Sequence, residues 1–168
     1  IKMYRWTWLG EPTGVDDLIY YMFSAEKHIY QPEDYIEEEK RSIGEIGIGV
    51  DYGQQNATVY EAFGLDYQNQ VLRGIDEYYY SGRDSGTQKS PSEYAQNMKT
   101  FCDKIEQEYD RVVSYIFVDP SAAGLIEEIR RVIPHIPVIP AQNDVKLGIS
   151  RVQKLLSFGR MIVSEKQK

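Results

Sequence analysis

Two aspartates stand out by position. Asp51 closes the run Ile46-Gly47-Ile48-Gly49-Val50-Asp51, and Asp119 follows the run Val112 to Val118 and precedes Pro120. Both runs read as strands, so each carboxylate sits at a strand end. In an open α/β sheet, ligands gather at strand ends near changes in strand order. If the two strands are neighbours, the carboxylates lie within reach of a shared cation. Oxygen-only donors of this kind suit Mg2+ or Mn2+. Two such ions, about 3.5–4 Å apart, activate water and stabilise the leaving oxygen in phosphodiester cleavage. The competing reading is that each Asp caps the turn after its strand, as Asp often does. Spacing alone leaves both open.

The elements around them follow from periodicity. Ile46, Ile48 and Val50 alternate with Gly47, Gly49 and Asp51, which predicts a strand with one apolar face. Its other face is Gly, Gly and a carboxylate, open to close approach by a partner. Tyr52 to Asn56 reads as a turn. Ala57 to Leu65 and Val71 to Tyr80 read as two further strands, with a hairpin around Asp66 to Gln70. Ser90-Pro91-Ser92-Glu93 is a capping box with Pro at the first helical position. Tyr94, Met98, Phe101, Cys102, Ile105 and Tyr109 follow at helical spacing.

Val112 to Val118 is nearly all apolar, which predicts a central strand buried on both faces. Ala122 to Val132 reads as a short helix and Val138-Ile139 as a short strand. Asp144 to Phe158 reads as a helix with Val145, Ile149, Val152 and Leu156 inward and Gly159 at its C-cap, and Met161 to Val163 as a last strand. The order β-β-β-α-β-α-β-α-β predicts an α/β fold: a three-strand antiparallel meander plus parallel strands in one mixed sheet, with helices on both faces. Upstream, residues 1–42 show no clean period. Leu9 to Gly14 reads as a turn and Glu33 to Arg41 as a solvated charge run.

At 168 residues with 42% apolar side chains, the chain supports one core. Net charge is −7, which argues against an electropositive grip along the whole chain. The charge is uneven: −5 over residues 1–50, −6 over 51–110 and +4 over 111–168. Arg130, Arg131, Lys146, Arg151, Lys154 and Arg160 supply most of that basic third. Lys146, Arg151 and Lys154 are the candidate phosphate contacts, against the alternative of a plain solvated face. A single cysteine, Cys102, excludes an intramolecular disulfide and a Cys-based zinc cluster. No apolar run approaches the roughly 18 residues of a membrane span.

Other polar residues carry blander expectations. Asp76 and Glu77 sit on the third strand, either as a third acidic donor or on a solvated face. Asp144 reads as a helix N-cap. His28 and His135 match no metal spacing, and Cys102 falls on the inward face of its helix. Ser121 has no paired His base. Tyr78-Tyr79-Tyr80 suits strand packing better than stacking on nucleic acid.

Four segments in one order carry a resemblance: Leu9 to Gly14, Gly49-Val50-Asp51-Tyr52-Gly53, Phe117-Val118-Asp119-Pro120-Ser121-Ala122, and Lys146 to Leu156. Together they resemble the C-terminal nuclease domain of tailed-bacteriophage terminase large subunits, over roughly residues 5–165. The resemblance implies a ribonuclease-H-like fold and an endonuclease that cuts concatemeric viral double-stranded DNA with two divalent ions, Mg2+ or Mn2+, held by three acids. Asp51 matches the first acid and Asp119 the second, and the third is expected beyond Lys168. It further implies residues 1–42 as an extension from a preceding ATPase domain of the same polypeptide and 43–168 as a nuclease domain truncated at its C-terminus. The implied partners are a terminase small subunit and a portal protein, and the implied location is the host cell cytoplasm. Three alternatives remain: another ribonuclease-H-like nuclease of resolvase or transposase type, a non-catalytic packaging docking module, and an actin-like phosphate-binding domain, whose first phosphate loop Gly49 to Gly53 also resembles.

Overall fold

In the computed structural model, residues 18–31, 40–53 and 56–167 are described. The Leu9 to Gly14 turn and most of the Glu33 to Arg41 charge run lie outside the described residues. One seven-stranded mixed sheet organises the rest. Its strands are β1 (Ile29–Tyr30), β2 (Ile43–Asp51), β3 (Ala57–Asp66), β4 (Val71–Ser81), β5 (Tyr115–Val118), β6 (Val138–Pro140) and β7 (Met161–Ser164). Their spatial order is β1-β7-β4-β3-β2-β5-β6. The meander β2-β3-β4 is antiparallel, and β5, β6, β7 and β1 join in parallel. The strands foreseen from residue 43 onward, β2 to β7, all form, although β5 begins at Tyr115, three residues later than the expected Val112.

The helices are α1 (Ala25–His28), α2 (Gly82–Ser85), α3 (Pro91–Tyr109), α4 (Ala123–Val132) and α5 (Val145–Ser157). The capping box starts α3: the Ser90 hydroxyl accepts from the Glu93 N–H, while the Glu93 carboxylate accepts from the Ser90 N–H. This satisfies two orphan donors at once. Asp144 caps α5 by accepting from the Leu147 N–H at 2.9 Å, as its position foretold. Gly159 takes the left-handed φ of 62° that ends the helix.

The core lies on one face of the sheet. Ile46, Ile48, Tyr60, Ala62, Ile116 and Val118 meet Tyr94, Met98, Phe101, Cys102 and Ile105 of α3 and Leu125 and Ile129 of α4. Tyr60 is fully buried, so its hydroxyl needs a partner, and it donates to the Tyr94 carbonyl at 3.0 Å. Its ring stacks on Tyr78 at 4.6 Å between centroids.

Two expectations are corrected. The strand after α3 is buried on one face only: Tyr115 and Phe117 are each about 40% exposed, while Ile116 and Val118 are fully buried. An apolar run reads as two-sided burial, yet here aromatic side chains occupy the open face. Val145 is 72% exposed instead of inward, because α5 buries only Leu156 completely enough to count as core. One sheet edge lies where no period is visible: α1 and β1 fall within residues 1–42. Ile29 and Tyr30 pair with Val163 and Ser164 at the sheet edge, a two-residue strand with no periodicity to betray it.

Candidate active site

The pairing of β2 with β5 positions the two acids. Val50 lies opposite Val118 in parallel register, so Asp51 and Asp119 each stand one residue past the last paired position, on neighbouring strands. Adjacent strands lie about 4.8 Å apart. The two backbones therefore emerge side by side at the same sheet end.

Hydrogen bonds fix the state of Asp119. Its Oδ1 accepts from the Ser121 N–H at 2.7 Å, and its Oδ2 accepts from the Asn143 amide at 2.7 Å. Ser121, through its hydroxyl and then its N–H, and Asn143 hold this exposed carboxyl below the usual carboxylate range. The turn-capping reading thus holds for Asp119, since one oxygen closes the Asp119–Ser121 turn. The other oxygen is oriented by the loop that leads into α5. Ser121 acts here as a donor to the carboxylate.

Asp51 faces a shallow groove on the open side of the sheet. Gly49, Val50, Val59, Glu61, Glu77 and Tyr79 line it together with Asp51, around about 690 Å³. A Cβ built on Gly49 would meet nothing within 4 Å, so no described residue fills that space. Glu61 and Glu77 stand directly opposite each other on β3 and β4. Burial first, then the hydrogen bond that protonated Glu61 donates to the Glu77 carboxylate and that carboxylate's charge, push the Glu61 carboxyl up to about 7. The Gln167 amide donates to Glu61 Oε2 at 2.8 Å and opposes that rise. Glu61 therefore holds a proton toward neutral pH.

Solved structures similar to this chain include a large terminase from a thermophilic bacteriophage, with a TM-score of 0.74 and 33% identity over 88% of this chain and 34% of that one. The P22 large terminase nuclease domain has a TM-score of 0.61 and 14% identity, covering 88% of this chain and 72% of that domain. The chain has the fold of a large-terminase nuclease domain. It spans about a third of the first of these proteins. The large terminase nuclease of a second thermophilic phage, G20c, solved with bound cobalt, shares this fold at a TM-score of 0.53 and 17% identity over 73% of this chain and 59% of that one. No protein-family model matches the chain, and no curated protein matches it.

Within this terminase-nuclease fold the remaining candidates separate. Among the described residues, no group of three or more His, Cys, Asp or Glu is placed to hold a metal ion. Asp76 pairs with Lys104 of α3 at 2.5 Å, while Glu77 lines the Asp51 groove. Lys146 sits in the first turn of α5, at the end tied to Asp119 through Asn143. Arg151 and Lys154 lie roughly 7 and 12 Å further along the helix at 1.5 Å per residue. All three are exposed.

Tyr78 packs on Tyr60, Tyr80 donates to the Thr87 carbonyl at 2.6 Å, and Tyr79 stands 50% exposed in the groove. His28 is buried, its Nε2 bonded to the Leu156 carbonyl at 3.0 Å, and Cys102 is core, as foreseen. Sequence reasoning missed Glu61 and Asn143. The only signal for Asn143 was the polar stretch Gln142-Asn143-Asp144. For Glu61 it was an isolated acid on an otherwise apolar strand, without meaning until Glu77 is known to oppose it.

Proposed function

We propose that this chain is the nuclease domain of a viral DNA-packaging terminase, a divalent-metal-dependent endonuclease that cuts concatemeric double-stranded DNA. The observation that carries the proposal is the Val50–Val118 register, which sets Asp51 and Asp119 side by side. These two aspartates would hold Mg2+ or Mn2+. Asp119 fits that task because its donors favour the ionised form, and carboxylate oxygens are the donors such hard ions take. When bound, two such ions supply an activated water and charge stabilisation at the leaving oxygen.

The chain's own residues do the rest. Asn143 and Ser121 keep Asp119 charged and oriented. Gly49 leaves the sheet face beside Asp51 clear for a phosphate. Lys146 faces the backbone of the bound duplex from the near end of α5. The sheet from Ile43 onward is the nuclease domain, with α1 and β1 as its edge. The thermophilic-phage large terminase of which this chain spans a third has been solved with ADP and with ATP-gamma-S. That supports an ATPase domain on the same polypeptide here, with small subunit and portal protein as partners in the host cytoplasm.

Calorimetric titration with Mn2+ and plasmid cleavage in Mn2+ test the assignment. Asp51→Ala and Asp119→Ala should each lose Mn2+ binding and nicking while keeping the parent's circular dichroism. Cleavage by either variant at the parent's rate would sink the nuclease reading. A resolvase-type enzyme would instead cut only four-way junctions.

A further inference from the structure

The C-terminal end of α5 carries a second feature, at the opposite end of that helix from Asp119. Arg151, Lys154, Leu155, Phe158 and Arg160 enclose a pocket of about 580 Å³. Phe158 is 69% exposed, which leaves a large aromatic surface in water without an internal reason. Residues 151, 154 and 158 are spaced by three and four, so they share one helical face. The left-handed turn at Gly159 then folds Arg160 back, and its N–H bonds the Leu155 carbonyl at 2.8 Å.

Three cations therefore surround one exposed ring. Among the described residues, none of the three has a carboxylate within ion-pairing distance, although acids outnumber bases in this chain by 26 to 19. The helix end is also anchored. Leu156 is bonded by His28 Nε2, and the Gln153 amide donates to the Ile19 carbonyl at 2.7 Å.

We propose that this pocket binds a single-stranded segment of DNA, with Phe158 stacking on an unpaired base and Arg151, Lys154 and Arg160 holding the flanking phosphates. The chemistry selects that ligand. Cations with no carboxylate partner among the described residues, at this spacing, suit a polyanion. An exposed ring among them suits a π-face, which a duplex keeps hidden in its stack and a single strand offers. By the helical rise the pocket's residues run from roughly 10 Å, at Arg151, to roughly 20 Å, at Phe158, from the Asp144 end of α5, and none of them lines the Asp51 groove. The proposal rests on the reading that this chain acts on DNA. It adds a contact for a strand that has lost its partner.

The test is fluorescence anisotropy with labelled dodecathymidylate and with a 12-base-pair duplex, in EDTA so that no cleavage or metal binding intervenes. Phe158→Ala should weaken single-strand binding by about 5- to 150-fold, the worth of one stacked base, and leave duplex binding unchanged. Phe158→Tyr should retain it. The triple variant Arg151→Gln, Lys154→Gln, Arg160→Gln should flatten the dependence of log affinity on log salt by about 2, since each phosphate contact contributes about 0.7. Three results would each overturn the proposal: no binding by the parent at low salt, Phe158→Ala binding the single strand like the parent, or an equal loss on the duplex. If this binding pattern holds while Asp51→Ala cuts like the parent, the cleavage reading fails and the pocket stands.

Discussion

Replacing Glu61 with Gln tests whether Glu61, in the groove beside Asp51, holds a proton toward neutral pH. Glu61 and Glu77 oppose each other across β3 and β4, and the Glu61 carboxyl is pushed up to about 7 from an ordinary 4.5. The folded protein thus keeps a proton that the unfolded chain releases between those values. A state that binds more protons is favoured at low pH, so folding stability must fall as pH rises through roughly 5 to 7. In a dry site such a rise would amount to about 3 kcal/mol. Glu61 is only half-buried, and solvent screening reduces this to about 1–2 kcal/mol. For a domain of this size, that corresponds to a melting temperature lower by roughly 2–8 °C at pH 8 than at pH 5 from this pair.

Glu61→Gln removes the titration while still accepting from Gln167 and donating to Glu77. Its stability should therefore be flatter over the same range and exceed the parent's at pH 8. Urea unfolding at four pH values, followed by tyrosine fluorescence, reads the effect. The reasoning is refuted if parent and variant show the same slope, or if the parent gains stability between pH 5 and 8.

Two further outcomes follow from other parts of the sheet. Gly49→Val should fold with the parent's melting temperature, because a Cβ there meets nothing within 4 Å and β-branched residues suit strands. It should nevertheless lose Mn2+-dependent cleavage by crowding Asp51, and a large drop in melting temperature would show that the glycine serves folding instead. Arg73→Met should cost about 3 kcal/mol, because it leaves fully buried Asp66 without the guanidinium whose Nε lies 3.1 Å from Oδ2. Burial raises the Asp66 carboxyl, but donors led by Asn69, with Ser42 and Arg73, more than reverse that, so it sits below the ordinary range. The parent should accordingly lose stability as pH falls through the acid range, and Arg73→Met should lose less, as thermal melts at pH 3 and pH 6 would register.

Periodicity revealed most of the sheet because each strand from β2 onward alternates or runs apolar, and the main helices carry their caps in sequence. Ser90 and Asp144 announce α3 and α5 through side-chain chemistry alone. What stayed hidden depends on partners remote in the chain. Ile29 and Tyr30 become a strand only because Val163 and Ser164 lie beside them. Tyr115 and Phe117 looked like core because an aromatic residue on an open sheet face has the same letter as a buried one. At the site, Asp51 and Asp119 were legible as strand-ending carboxylates, but their adjacency required the β2–β5 pairing. The Glu61–Glu77 pair required the β3–β4 register, and the Asn143 bond a loop geometry that no local pattern encodes.

The parallel pairing of β2 with β5 also sets an order of events. Asp51 and Asp119 are about 70 residues apart, with β3, β4, α2, α3 and β5 between them. The antiparallel meander forms from neighbouring segments, whereas β5 must return from beyond α3 to lie against β2, the costlier and slower kind of contact. During synthesis at about 5–20 residues per second, the second acid emerges roughly 3–14 s after the first. A chain cut or stalled between β4 and β5 holds one acid and no partner for it. Under the nuclease function proposed above, the topology acts as a timer: the two acids come together only once β5 has docked against β2.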